Sequence, residues 1–553
     1  MIESPPPPDG SLDPVTALLE RLEAAEPTAP RPLDELVERL GSEGRLRGYP
    51  ALNTPLAASA VRGVAFDSRR VRPGWLFVAV PGAHVNGSDF VSSAAQRGAA
   101  AAIVEQPIPG LSLPQIVVDR AQAALATAAC WWYGDPGREL GIVGITGTDG
   151  KTTTSFLAAA MLRSAGIPTG IVTTAGIAIG DVQSFNPEHV TTPEAPQLQR
   201  MLRAMIRAGD QAAIVETTSH GLALERVGGI PYDVAIFTNL THEHLEFHGT
   251  FQAYREAKLS LFERLGGGPA KSLGRAWPAT AIVNVDDPAA PMFEAAAAAA
   301  GARIISYGET ASANVRATSV AEDARSLRVE VATPRWQGSL SLQLAGRFNV
   351  HNALAAVALG EALDLDPEAI RVGLAGVRGV PGRMERVDCG QPFGVIVDYA
   401  HSPASLEKVL DMLSGLAAAR GGGVIAVFGS AGERDVQKRP MMGLVAGRRC
   451  RLVILTNEDP RNEAPQAILE QIAAGAEAAG LRRDRDLRCI VDRNEAIAAA
   501  FEQAQPGDWV LLAGKGHERS IITAAGPQPW SERAAAERAL QSLGYRSGGG
   551  KSQ

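Results

Sequence analysis

Gly144 to Phe156 reads GITGTDGKTTTSF, a lysine set behind a glycine-rich turn and followed by a row of hydroxyl side chains. An apolar run from Ile142 to Thr146 leads into it and the helical pattern SFLAAAMLRSAG leads out. Strand, small-residue turn, Lys-Thr and helix in this order make a phosphate-binding loop, because backbone N–H groups and the helix N-terminus together cradle an anion. Gly147, Thr148, Asp149 and Gly150 would wrap the phosphates of ATP, Lys151 would reach the terminal ones, and Thr152 or Thr153 would hold magnesium. The chain carries 53 basic residues, yet lysine stands only at positions 151, 258, 271, 408, 438, 515 and 551. Arginine-favouring codon usage accounts for the general bias, and a compact, modifiable amine is the reason to keep lysine at particular sites.

A metal centre needs acids or histidines beside that loop. IVETTSHGL puts Glu216 just past a buried strand, and TNLTHEHLEFHG puts His242, His244 and His248 past the next. Glu216 with His244 could ligate a divalent ion. The following helix, AYREAKLSLF, brings Lys258 towards the same place. An ammonium beside magnesium is electrostatically wrong unless it points at phosphate or is modified, and addition of carbon dioxide would turn it into a carboxylate. Four charged clusters lie further on: Asp398 with His401, Arg434 with Lys438 and Arg439, Asp459 with Arg461, and His517 with Glu518 in a second Gly-Lys-Gly turn. Each follows a strand-like run, and loops at one edge of a parallel sheet build a site together.

Three α/β domains are needed to position these groups. Residues 1–55, rich in Pro, Glu and Ala, read as a poorly ordered extension with one amphipathic helix suggested by LDELVERL. A small α/β domain covers 56–136. A central parallel sheet wrapped by helices, of the phosphate-loop ATPase kind, covers 137–378, and a Rossmann-like α/β domain covers 379–546 after a hinge at GVRGVPGR; 547–553 read as a disordered tail. The net charge of −7 offers no basic field for nucleic acid. No apolar run is long enough for a membrane span and the start is no signal peptide, so a cytoplasmic protein is expected. The four cysteines lack metal-ligand spacing.

These motifs resemble those of the ATP-dependent Mur ligases of peptidoglycan synthesis, and within them the members that add the third residue of the peptide. The resemblance runs from about Val61 to about Tyr545. DSRRVRPGWLFVAVPG, Asp67 to Gly82, is similar to the family's uridine-nucleotide segment, which implicates Ser68 and Arg69. TTPEAP and ETTSHGLALER are similar to the segments that hold the muramoyl peptide, through Thr191, Thr192, Thr218, Ser219 and Arg226. The resemblance further implies Glu216 and His244 as magnesium ligands, Lys258 as a carbamylated lysine, Asn352 on the adenine side and Arg383 near the nucleotide. Arg434, Asp459, Arg461, Gly514 and Glu518 match positions that hold the incoming amino acid. The implied reaction activates a D-glutamyl carboxylate as an acyl phosphate, with a UDP-N-acetylmuramoyl dipeptide and a diamino acid as partners and a monomer as the working form.

Four positions depart from the family: Asn86 and Asp149 where it commonly has Asp and Asn, and Thr218 and Leu224 where Ser and Gln are frequent. In EDPR, Arg461 favours a distal carboxylate, hence meso-diaminopimelate, whereas Asp459 in place of Asn favours the distal ammonium of lysine or ornithine. A folylpolyglutamate-synthetase-like ligase and a non-catalytic nucleotide-binding scaffold are the rival readings. The intact uridine segment speaks against the first, and undamaged Lys151, Glu216, His244 and Lys258 speak against the second.

Overall fold

The computed structural model describes residues 13–48, 60–82, 85–186, 190–241, 243, 245–266, 271, 277–323 and 326–546. The first departure from expectation is at the N-terminus. Residues 13–48 are not a loose extension: they form α1 (Pro14–Ala24) and α2 (Leu33–Ser42). Asp13 caps α1 by accepting the Thr16 N–H at 3.1 Å, and Pro14 supplies a preset first turn. Leu33, Leu36, Val37 and Leu40 recur at helical spacing and are buried in the first domain. Leu18 and Leu22 instead enter the core of the central domain. The second helix is the amphipathic one that LDELVERL suggests, whereas the Pro- and Glu-rich composition conceals the first. Residues 1–12 and the tail 547–553 lie outside the described residues.

The first domain is a five-stranded sheet in which β1 (Val64–Ala65), β2 (Leu76–Val78), β3 (Ala101–Val104) and β4 (Gln115–Val118) run parallel. Helix α3 (Ala121–Tyr133) is buried along nearly its whole length and leads to the central domain.

The central sheet has eleven strands. At its middle β5 (Gly141–Thr146) lies between β7 (Ala212–Glu216) and β8 (Val234–Phe237), all parallel, with β6 (Thr169–Val172) beyond β7 and β9 (Thr280–Asn284) beyond β8. These strands are continuous runs of small and β-branched apolar residues buried on both faces, the composition a helix-covered parallel sheet requires. Helix α4 (Lys151–Ser164) covers one face together with α6 (Phe348–Ala362), whose residues are nearly all buried because it is wedged between sheet and α4. Helix α5 (Ala195–Arg207) covers the other face through Leu198, Met201, Leu202 and Met205.

The third domain has a six-stranded sheet. Its parallel strands β10 (Gly394–Asp398), β11 (Val424–Phe428), β12 (Leu452–Leu455) and β13 (Trp509–Ala513) are ordered 10-13-11-12. The carboxyl ends of β5, β7 and β8 in one domain and of β10 in the other open onto a common cleft, where ligands of such sheets bind. No helix among the described residues is long and apolar enough to cross a membrane.

Candidate active site

The loop between β5 and α4 is fixed from both sides. Gly147 has φ +146° and Gly150 φ +85°, backbone that suits glycine. A Cβ on Gly147 would stand 1.9 Å from Thr238 Oγ1, and one on Gly150 2.3 Å from Asn352 Oδ1. Residues at the end of β8 clamp the loop: Asp149 N–H donates to Asn239 Oδ1 at 2.9 Å, while Thr238 Oγ1 and Asn239 Nδ2 donate to the Asp149 carbonyl at 2.7 and 3.1 Å. Asn284, at the end of β9, donates in turn to the Thr238 carbonyl at 2.7 Å. Thr238, Asn239 and Asn284 were missed in the sequence; the signal was a polar residue directly after each apolar run. Lys151 is curled over the loop, its Nζ donating to the Gly147 and Thr148 carbonyls at 3.0 and 2.7 Å.

Glu216 ends β7, adjacent to β5, so its carboxylate meets the start of α4 by register. It is 2 % exposed and accepts from Thr152 Oγ1 at 3.0 Å, from Thr174 N–H at 3.0 Å and from Thr174 Oγ1 at 3.2 Å. Thr174 also donates to Thr191 Oγ1 at 2.8 Å. Hydroxyl and carboxylate oxygens in contact are the hard donors magnesium prefers, so this part of the site fits the ion. No group of three His, Cys, Asp or Glu gathers among the described residues, so the remaining ligands must come from phosphate, water or residues elsewhere. His244 and His242 lie outside the described residues. Thr153 is buried in the first turn of α4.

The helix Phe251–Glu263, between β8 and β9, carries Lys258 into the centre of the site. The amine is 2 % exposed, donates to the Gly147 carbonyl at 2.7 Å and sits 4.6 Å from the Tyr254 ring centroid. Burial, with the nearby Lys151 charge, holds it well below the usual lysine range. An uncharged amine is the form that can add carbon dioxide.

Around Glu216 the segments expected to face the muramoyl peptide come together. Thr192 Oγ1 donates to the Glu216 carbonyl at 2.9 Å and bonds Thr218 Oγ1 at 3.0 Å. Arg226 donates to the Thr192 carbonyl at 3.1 Å and pairs with Glu194 at 2.7 Å. Ser219 Oγ is buried without a partner among the described residues. In the first domain, Ser68 is buried, whereas Arg69 is turned to solvent and paired with Asp67 at 2.8 Å.

The cleft between the central and third domains measures about 940 Å³. The phosphate loop, Glu216, Thr191 and Thr218 line one wall; Arg383, Tyr399, His401 and Lys408 line the other. Arg383 lies 4.5 Å from the Tyr399 ring centroid and donates to Thr152 Oγ1 at 3.3 Å. Asp398 fixes that hinge by accepting the Met384 and Ala400 N–H groups at 2.7 Å each. Asn352 contacts the first turn of α4, accepting from Thr154 Oγ1 at 3.3 Å.

The amino-acid cluster is separate from this cleft lining. Lys515 is fully buried, donates to Asp459 Oδ1 at 2.8 Å and pairs with Glu518. These two acids hold Lys515 in its charged form despite its burial. Asp459 also accepts the Ile522 N–H at 2.9 Å. Its carboxylate is therefore engaged within the protein, where one Lys515 charge is shared between Asp459 and Glu518. Among the described residues, Arg461, at φ +54°, has a buried Nε without a partner, and Glu458 Oε2, which stands 2.7 Å from a Cβ built on Gly514, has none either. Arg434 is exposed.

Comparison with known proteins extends over all three domains. Residues 60–131 match the Mur ligase family catalytic domain, 145–360 the Mur ligase middle domain, and 382–516 the Mur ligase glutamate ligase domain. A UDP-N-acetylmuramyl-tripeptide synthetase of Roseiflexus sp. is 47% identical over 489 residues, 88% of this chain and 95% of that protein. A UDP-N-acetylmuramoyl-L-alanyl-D-glutamate–2,6-diaminopimelate ligase of Geobacter metallireducens is 40% identical over 88% of this chain and 96% of its own length. A solved structure of a ligase of that same name is 29% identical with a TM-score of 0.60, covering 90% of this chain and 98% of the other. A Mycobacterium tuberculosis folylpolyglutamate synthase, 18% identical with a TM-score of 0.56 over 76% of this chain and 94% of its own, shares the fold.

Proposed function

The chain belongs to the Mur ligase family of ATP-dependent amide ligases, and from that premise we propose that it joins meso-diaminopimelate to the D-glutamyl carboxylate of UDP-N-acetylmuramoyl-L-alanyl-D-glutamate. The observation that carries the choice of amino acid is the pairing of Asp459 with Lys515, while the buried Nε of Arg461 has no partner among the described residues. An aspartate already bonded to Lys515 offers a distal ammonium less than a free one would, and a guanidinium suits a carboxylate.

The D-glutamyl carboxylate attacks the γ-phosphorus of ATP and ADP leaves. The amine of the incoming residue then attacks the acyl carbon of the resulting acyl phosphate, loses a proton, and phosphate departs. Lys151 swings from the loop carbonyls to the terminal phosphates, where its charge offsets the charge spreading over the transferred group. Gly147 and Gly150 let the loop backbone approach the phosphates closely. Thr152 and Glu216 would hold magnesium, joined by His244 and by Lys258 as its carbamate; when bound, the ion supplies further neutralisation of phosphate charge. Thr191, Thr192, Thr218, Ser219 and Arg226 orient the muramoyl peptide beside Glu216. Ser68 and Arg69 belong to the uridine end. Arg383 and Asn352 frame the nucleotide, and Arg434, Gly514 and Glu518 frame the amino acid with Arg461. Seating of the third domain over the loop excludes water from the acyl phosphate.

Phosphate release with ATP, magnesium and the muramoyl dipeptide, measured separately with meso-diaminopimelate, lysine and ornithine, tests this reading. Turnover is expected with meso-diaminopimelate, and preference for lysine or ornithine would return the deciding role to Asp459. Turnover only with a folate substrate would replace the muramoyl reading.

A further inference from the structure

The phosphate loop carries an acid where a polyanion is to bind. The backbone of Asp149 is clamped by Thr238 and Asn239, which leaves its carboxylate directed out of the loop. There it meets Lys408 Nζ at 2.9 Å, on the third-domain helix Pro403–Ala418. Both side chains line the cleft and both keep some solvent contact, 33% for Asp149 and 48% for Lys408. An unmatched carboxylate beside a bound triphosphate repels it, whereas a carboxylate paired with an ammonium is close to neutral at that distance. The cancelling charge comes from another domain, so it is present only while that domain is seated. Two further contacts bridge the same gap, Arg383 to Thr152 at 3.3 Å and His401 to Glu243 at 3.6 Å, and neither compensates Asp149.

We propose that Lys408 is a positioning residue for the nucleotide, neutralising Asp149 across the domain gap and so linking ATP affinity to the seating of the third domain. With the domain away, the loop presents a bare acid and holds ATP less well. With ATP bound, release of Lys408 costs more, so the nucleotide in turn favours the seated domain, as linkage requires. This rests on the nucleotide reading of the cleft.

The test is a cycle of ATP affinities by calorimetry on the full chain: unmodified, Lys408→Ala, Asp149→Asn, and both together. Lys408→Ala is expected to weaken ATP about three- to ten-fold at low salt, an effect that shrinks in about 0.5 M KCl. Adding Asp149→Asn should bring the affinity back to within about two-fold of the unmodified protein, since a neutral loop needs no partner. A residue that merely supports the fold, or one that touches phosphate directly, would not be rescued in this way. An equal penalty for Lys408→Ala with and without Asp149→Asn overturns the inference while leaving the nucleotide reading intact. Absence of ATP binding by the unmodified protein overturns both.

Discussion

The phosphate loop and the cluster around Asp459 are built by opposite means. At the loop, the donors and acceptors that face the cleft are engaged by neighbouring segments: Asp149 by Asn239, Glu216 by Thr152 and Thr174, and Lys258 by the Gly147 carbonyl. Around Asp459 the acids share one buried lysine, and Glu458 Oε2 and Arg461 Nε are buried with no partner among the described residues. A site already satisfied holds its geometry before the ligand arrives, which suits transfer of a phosphoryl group through a positioned transition state. A site left unsatisfied pays desolvation that only the right ligand returns, which suits discrimination among amino acids.

If the loop side is a preformed reaction centre, damage there should appear in turnover. Lys258→Ala is expected to lower ligation by about a thousand-fold or more, with partial recovery on adding a short carboxylate to the buffer, measured by phosphate release. Full activity without the additive would remove Lys258 from the centre. If the Asp459 side discriminates, damage there should appear in affinity. Arg461→Ala should weaken meso-diaminopimelate by about 1.5 to 3 kcal/mol, the range for hydrogen bonds to charged groups, and leave ATP affinity unchanged. Equal losses for both ligands would erase the contrast between the two regions.

A smaller effect concerns stability. His517 lies beside Tyr399 with ring centroids 5.1 Å apart, and burial, with the Arg383 and Lys515 charges, moves its imidazole down from 6.5 to about 3. The unfolded chain therefore takes up a proton near pH 6.5 that the folded chain refuses until about pH 3. Stability must fall as the pH drops through that window. His517→Gln should flatten the slope, a difference of about 2 kcal/mol at pH 5 in denaturant unfolding of the third domain, on top of a constant offset for the substitution. An unchanged slope would mean that His517 is not held neutral.

The same contrast explains what the sequence made legible. Strand, turn and helix of the phosphate loop are contiguous from Gly141 to Ser164, so local pattern alone locates them. Glu216 is readable because a charged residue ends an apolar strand. The partners that fix the loop, Thr238, Asn239 and Asn284, come from strands whose neighbourhood is set by the order of the sheet, which no local window carries. The surroundings of Asp459 are illegible for the same reason: Lys515, which bonds it, is 56 residues away and meets it only when two loops at one sheet edge fold together. At the N-terminus the error ran the other way. Composition suggests a poorly ordered segment with one helix at LDELVERL, while Leu18 and Leu22 together with Leu33 and Leu36 supply apolar faces that two domains bury.

The central claim, carboxylate activation by phosphoryl transfer followed by attack of an amine, is tested most directly by following oxygen. With the D-glutamyl carboxylate of the muramoyl dipeptide labelled with oxygen-18, one turnover in the presence of ATP, magnesium and meso-diaminopimelate should place one labelled oxygen in the released phosphate and leave the other in the new amide. Phosphate released without label would contradict the account, because it would mean that water, and not the substrate carboxylate, receives the phosphoryl group.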